Sequence, residues 1–160
     1  MAKSKFPVTP AIRVLREANA VYGEHLYNYK EKGGTAVSSK ELGVDEHYMI
    51  KTIVMEDENK NPLICLMHGD AEISTKQLAR TIGVRNITPC TPETANKHTG
   101  YLVGGTSPFG TRKKMPIYME ETIQELPIIY INGGKRGYLV SMDPKEVIRI
   151  LKPTMVNVKI

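Results

Sequence analysis

The 160-residue chain carries 22 Lys and Arg against 17 Asp and Glu, a net charge of +5 with a pI near 9.1. That length fits one soluble domain spanning 1–160 and buries a sizeable core without disulfides or metal, while the charge favours an anionic partner. No apolar run approaches the roughly 20 residues of a membrane-spanning helix, and Met1 to Pro7 has two lysines but no apolar leader core, so a cytoplasmic chain is expected.

The first element begins at Thr9-Pro10, with Thr9 as N-cap and Pro10 at the first helical position; Ala11, Val14, Leu15 and Ala18 share one face. Tyr22 to Tyr29 reads as a tyrosine-rich strand with His25, Tyr27 and Tyr29 on one face, either an exposed edge or the wall of a site. After a loop over Lys30–Gly34, Ser38 or Ser39 caps a short helix that Gly43 stops. Ile50 to Met55 is an apolar, β-branched strand interrupted by Lys51, a cation that either snorkels to solvent or faces an anionic ligand in a cleft. A charged turn, Glu56 to Asn61, makes a hairpin with Pro62–Met67; His68 and Asp70 in the following His68-Gly69-Asp70 suggest a metal or acid/base pair, but without ligand spacing to the scattered His25, His47 and His98 a solvated loop is the preferred reading.

Ser74 caps a helix with Leu78, Ala79 and Ile82 inward, Lys76 and Arg80 outward and Gly83 at its end. Thr91-Pro92-Glu93 opens another, with Lys97 and His98 in its last turn, where positive charge complements the helix dipole. From Gly100 the chain runs Gly-Tyr-Leu-Val-Gly-Gly-Thr-Ser-Pro-Phe-Gly: a short Tyr101–Val103 strand entering a loop whose glycines allow positive φ or close backbone approach. Such a loop offers bare backbone amides. It is followed by Thr111-Arg112-Lys113-Lys114, and a second glycine turn, Asn132-Gly133-Gly134-Lys135-Arg136-Gly137, joins strands Ile128–Ile131 and Tyr138–Val140. Glycine turns with adjacent cations suit a phosphate or ribose path, although a charge run is also the ordinary form of solvated surface. Asp143-Pro144-Lys145-Glu146 starts the last helix, which buries Val147, Ile148 and Leu151 and stops at Pro153. Leu78, Ile82, Val103, Ile129, Val147 and Ile148 are expected in one core.

Cys65 lies in an apolar strand and Cys90 in a proline-flanked loop, without the paired spacing of a disulfide framework or zinc site; His25, His47, His68 and His98 are scattered. Neither a metal nor a cofactor is expected.

Taken together, Thr9-Pro10-Ala11, His25 with Tyr27, Lys51-Thr52, Thr99-Gly100-Tyr101-Leu102-Val103-Gly104-Gly105 with Ser107-Pro108 and Gly110, and Gly133-Gly134-Lys135-Arg136-Gly137 resemble the YbaK family of aminoacyl-tRNA deacylases over roughly Thr9 to Val158. The resemblance implies an α/β domain, a mixed sheet curled into a barrel-like core with flanking helices, similar to the editing domain inserted in bacterial prolyl-tRNA synthetases. It implies an enzyme that clears mischarged tRNA, with cysteine on proline tRNA as the associated substrate. The family's essential lysine falls on Lys51, its substrate-site tyrosine on Tyr27 and its loop glycine on Gly104. Gly105, Ser107, Asn132, Gly133 and Gly134 are the implied substrate contacts, and Arg112, Lys113, Lys114, Lys135 and Arg136 the expected tRNA contacts. Asn132 stands where many members have serine, a departure that bears on amino-acid preference.

An aminoacyl ester is already activated, so its cleavage requires a held terminal adenosine and a polarised carbonyl more than a protein nucleophile. No Ser-His-Asp or Cys-His pattern is legible, and the family's proposed route uses the substrate thiol. Water-based hydrolysis of another small aminoacyl ester and an RNA-binding or synthetase-docking module without catalysis remain alternatives. The expected partners are mischarged tRNA and a prolyl-tRNA synthetase complex, with neither membrane nor DNA.

Overall fold

A computed structural model describes residues 5–160; Met1–Ser4 of the stretch read for a leader lie outside the described residues. Helix α1 (Pro10–Glu17) precedes strand β1 (Gly23–Leu26) and helix α2 (Gly34–Leu42). The hairpin β2 (Met49–Asp57) and β3 (Pro62–His68) leads to α3 (Thr75–Ile82), β4 (Ile87–Pro89) and α4 (Pro92–Thr99). Then come β5 (Ile117–Glu120), β6 (Ile129–Lys135), β7 (Tyr138–Met142), α5 (Pro144–Leu151) and β8 (Thr154–Val156).

All eight strands join one mixed sheet in the order β1-β7-β6-β2-β3-β5-β8, with β4 added to β2. β2–β3, β6–β7, β1–β7 and β2–β4 are antiparallel, whereas β2–β6, β3–β5 and β5–β8 are parallel. The ladder ends at β1 and β8, which do not pair with each other among the described residues.

Thr9, Ser74, Thr91 and Asp143 cap α1, α3, α4 and α5 through side-chain oxygens, and Gly43, Gly83 and Gly100 end their helices in the left-handed region, as the sequence predicts. Helix α2 differs. It starts at Gly34, and Ser38 and Ser39 lie inside it, their hydroxyls donating back to the Thr35 and Ala36 carbonyls at 3.2 and 3.1 Å. α5 stops at Leu151 because Lys152 adopts positive φ, one residue before Pro153.

Strand β3 is buried at every position, so it is covered on both faces. Ile64 and Leu66 face one cluster, with Ile12, Leu15, Phe109, Ile129, Tyr138 and Val147; Cys65 and Met67 face another, with Leu78, Ala79, Ile87 and Val158. The single core expected from the sequence is therefore two. Leu78 and Ile82 belong to one side, Ile129, Val147 and Ile148 to the other, and Val103 is 45% exposed. Period-3.6 and period-2 patterns say which face of an element is apolar; they carry no information on which side of the sheet it covers.

Candidate active site

A break in the sheet creates the site. On one edge of β2, β6 pairs only at Met49 and Ile50 and β4 only from Met55 onward, so Lys51–Val54 have no strand neighbour there. Unpaired strand edge presents backbone donors and acceptors to whatever fills the gap; the Val54 carbonyl is met by the Cys90 amide at 3.0 Å. A cleft of about 650 Å³ occupies this gap, within the size range of small-molecule sites. Tyr27 and Tyr29, the start of α2, Lys51 and Thr52, Cys90, Val103 and Gly104, Tyr130, Asn132 and Arg136 line it.

The three residues on which the resemblance centres thus share one cavity. The expected Tyr22–Tyr29 strand ends at Leu26, and Tyr27 leaves β1 with its amide still bound to the Gly137 carbonyl at 2.9 Å. Burial pushes the Tyr27 phenol above its ordinary pKa, so it stays protonated at neutral pH. Lys51 is mostly buried; its Nζ donates to the Ala71 carbonyl at 2.5 Å and lies 3.8 Å from the exposed Glu72 carboxylate. Beside it, the Thr52 hydroxyl is buried in the cleft wall with no hydrogen-bond partner among the described residues.

Tyr101–Val103 is not a strand; it is the start of an irregular loop, because its own groups brace it locally. The Gly105 amide binds the Leu102 carbonyl (2.8 Å), Tyr101 Oη donates to the Phe109 carbonyl (2.7 Å), and Asn96 Nδ2 donates to the Tyr101 carbonyl (2.9 Å). Leu102 consequently projects outward, while the partly exposed Val103 borders the cleft. Gly104 has φ +89°, and a Cβ there would lie 2.6 Å from Tyr29 Oη.

The second glycine segment is also not a free turn. Asn132 to Lys135 form the irregular end of β6, and only Arg136-Gly137 turn. Asn132 holds the two glycine segments together: its Nδ2 donates to the Gly104 carbonyl (3.1 Å), while its Oδ1 accepts from the Gly134 and Lys135 amides (2.7 and 3.1 Å). Arg136 adds a second tie, Nε to the Val103 carbonyl at 2.8 Å, with its guanidinium over the Tyr29 ring at 5.1 Å. Both ends of the Asn132 amide are committed to backbone, so at this position it sets the loop as well as lining the cleft.

The other expected contacts do not line the cavity. Gly105 is buried against the Lys135–Arg136 backbone, and Gly133 against the Tyr138 ring. Gly134 faces Thr9 and Tyr101, and Thr9 donates to the Gly133 carbonyl at 2.5 Å, so α1 clamps this segment from behind. Ser107 is fully buried and accepts from the Phe109 amide at 3.1 Å. Arg112, Lys113, Lys114 and Lys135 are exposed outside the cleft; the Arg112 and Lys113 amides bind the Thr99 and His98 carbonyls at the end of α4.

Neither cysteine is readied as a nucleophile. Burial pushes the Cys65 thiol up to about 12, and burial followed by the Glu56 carboxylate pushes Cys90 up to about 11, opposite to what an attacking thiolate needs. Two side-chain clusters also come together that the sequence does not assemble. His68 is buried rather than solvated: its Nδ1 meets the His47 carbonyl (2.9 Å), its Nε2 meets Thr122 Oγ1 (2.8 Å), and its ring stacks on His47 at 4.0 Å, with Asp70 on His47 Nδ1. Glu56, Cys90 and His98 form the second cluster, assembled from three elements. Only His68 and Asp70 stand close in sequence; the other members come from separate places in the chain.

The family model for the aminoacyl-tRNA editing domain matches residues 31–150, which contain every cleft-lining residue except Tyr27, Tyr29 and Lys30. The chain belongs to this family. Among relatives of this editing domain, EbsC of Enterococcus faecalis, provisionally named a Cys-tRNA(Pro)/Cys-tRNA(Cys) deacylase, is 29% identical over 94% of this chain and 93% of its own length. A proline–tRNA ligase of Thermodesulfovibrio yellowstonii is 33% identical over 86% of this chain, but the match spans only 22% of the ligase. Among solved structures, the hypothetical protein APE2540 superposes with a TM-score of 0.86 at 16% identity, covering 94% of this chain and 99% of its own. A proposed trans-editing enzyme for prolyl-tRNA synthetase superposes with a TM-score of 0.80 at 20% identity over 96% and 99%. These superpositions fix the fold as that of the editing domain. No helix among the described residues is long and apolar enough to cross a membrane.

Proposed function

We propose that this editing domain acts in trans to deacylate mischarged tRNA, with cysteinyl-tRNA(Pro) as its substrate, and that the cleft beside β2 receives the terminal adenosine and the aminoacyl group. The carrying observation is the convergence of Tyr27, Lys51 and Gly104 on one cavity whose wall also holds an unpartnered hydroxyl, Thr52. A buried hydroxyl without a partner costs about 1–3 kcal/mol, so a polar atom of a ligand is favoured there.

In this reading the cysteine thiolate of the substrate attacks its own ester carbonyl. The thiol gives its proton to solvent, the C–S bond forms, charge develops on the carbonyl oxygen, and the C–O bond to the ribose 3′ oxygen breaks; that oxygen takes a proton from solvent, giving a cyclic thioester and a free 3′ hydroxyl. Gly104 stabilises the developing oxyanion through its backbone, Lys51 supplies positive charge at the cleft wall, and Tyr27 donates from a phenol that burial keeps protonated. The poor state of both protein thiols supports a substrate nucleophile. A prolyl-tRNA synthetase complex would supply tRNA selection, and Arg112, Lys113, Lys114, Lys135 and Arg136 would meet the tRNA backbone.

A panel of cysteinyl-, seryl- and alanyl-tRNA(Pro) tests this. An intramolecular nucleophile can act at an effective molarity of about 10⁵ M or more, so cysteinyl-tRNA is expected to be cleaved far faster than the seryl ester, whose hydroxyl stays protonated. Cys65→Ala and Cys90→Ala are expected to remain active. Equal cleavage of alanyl-tRNA points instead to water as nucleophile; tRNA binding without any deacylation points to a binding module.

A further inference from the structure

Glu56, Cys90 and His98 reach one another from three places in the fold. Glu56 is near the end of β2, Cys90 follows β4, and His98 is in the last turn of α4. The β2–β4 ladder sets the first pair, with Glu56 opposite Thr88 and Met55 opposite Pro89, and α4 then turns back over it. One carboxylate oxygen, the Cys90 sulfur and one His98 ring nitrogen all lie within 4.8 Å of one another, and each residue is half-buried.

Sequence spacing alone suggests no metal ligands, because 34 and 8 residues separate these three positions; the sheet supplies the proximity. Among the described residues no hydrogen bond engages any of the three donor atoms. The single competing interaction is an ion pair from Lys60 to Glu56 at 3.8 Å, and Lys60 is almost wholly exposed and easily displaced.

The His47, His68 and Asp70 cluster meets the same spacing but its atoms are already engaged: both His68 nitrogens have partners, and His47 Nδ1 is held by Asp70.

We propose that Glu56, Cys90 and His98 form a three-ligand site for a divalent cation of the zinc class, set in the wall of the cleft that Cys90 lines. A thiolate, an imidazole and a carboxylate are the donor types that zinc takes, and ligand atoms around a tetrahedral zinc stand about 3.5 Å apart, a spacing that side-chain rotation brings within reach. Binding ties α4 to β2 and β4 on that side of the cleft. Burial, followed by Lys113, keeps His98 below its ordinary pKa and therefore neutral at pH 7, with its lone pair available. The Cys90 thiol is protonated before binding and gives up its proton to the solvent as the metal–sulfur bond forms, so affinity rises with pH. Lys60, Lys97 and Lys113 face the cluster and lower its affinity, and the carboxylate of Glu56 offsets them.

The test is a cobalt(II) titration of the purified chain followed by absorbance, with zinc then added. One equivalent is expected to bind with a near-ultraviolet thiolate-to-cobalt band and visible bands of tetrahedral strength, both abolished by zinc, and zinc should raise the melting temperature. Cys90→Ser should remove the near-ultraviolet band, and Cys90→Ser and His98→Ala should each weaken binding about tenfold or more, as loss of one ligand of three requires. His47→Ala should leave the titration unchanged, and circular dichroism confirms that each variant is folded. A wild-type titration without a thiolate band overturns the site, as does binding that Cys90→Ser does not weaken. Because the readout is spectroscopic, it is independent of whether any aminoacyl-tRNA is cleaved.

Discussion

Replacing Lys51 separates structure from chemistry at this cleft. Its ammonium donates to the carbonyl of Ala71, itself buried, and pairs with a Glu72 carboxylate that is 80% exposed. The Glu72 pair contributes little, about 0–1 kcal/mol at most, because solvent screens it. The Ala71 carbonyl matters more: leaving a buried acceptor without a donor costs about 1–3 kcal/mol. For a chain of this length that corresponds to a fall in melting temperature of about 2–12 °C, so Lys51→Met, which keeps the stem's packing, is expected to fold. The catalytic loss is read separately. If the ammonium also stabilises charge in the transition state, a charge-assisted contact worth about 1.5–3 kcal/mol lowers single-turnover deacylation by about 10- to 150-fold. Calorimetry and single-turnover cleavage of cysteinyl-tRNA, the latter well below the variant's melting temperature, measure the two effects. Near-normal turnover in a variant that has lost the expected stability would refute the catalytic reading and leave Lys51 as a strut between β2 and Ala71.

Gly104→Ala is expected to destabilise by about 2 kcal/mol from its positive φ, and more if Tyr29 cannot move off the new methyl; a melting curve and turnover together check it, and a silent substitution would mean that the loop is not held as described. Reversing Lys113 and Lys114 to Glu should weaken tRNA binding and flatten its dependence on salt, since each phosphate contact releases counterions; filter binding at several salt concentrations decides, and unchanged affinity would make this run solvated surface. His68 should make stability fall with acid. Burial first, then its neighbours His47 and Lys159, depress its pKa, against the His47 carbonyl and Asp70, which raise it. The folded pKa lies below the unfolded 6.5, so the full contribution is present above pH 6.5 and is lost as pH falls through the folded value. The slope of melting temperature against pH below 6.5 should shrink in His68→Gln, and an unchanged slope would place the acid sensitivity elsewhere.

Local chemistry accounts for the parts of this protein that were legible in sequence. Caps and stops are short-range devices, so Thr9, Ser74, Thr91 and Asp143, with Gly43, Gly83 and Gly100, mark helix ends correctly from the residues alone. The β2–β3 hairpin follows equally from two apolar runs and a charged turn. Lys51 stands out because a lysine interrupts an apolar strand, and Tyr27 and Gly104 because their motifs resemble a known family. What only the tertiary structure decides is non-local. The Gly104–Gly105 loop and the Asn132–Lys135 segment are each ordinary glycine-rich sequence until Asn132 and Arg136 bind one to the other, which spends the Gly105 side on packing and turns Gly104 toward the cleft. The cleft exists because β6 leaves β2 after Ile50 and β4 joins it only at Met55, a fact of strand order that no window of sequence contains. The same sheet divides one expected core into two and gathers Glu56, Cys90 and His98, since pairing across a sheet brings together residues whose separation along the chain carries no signal.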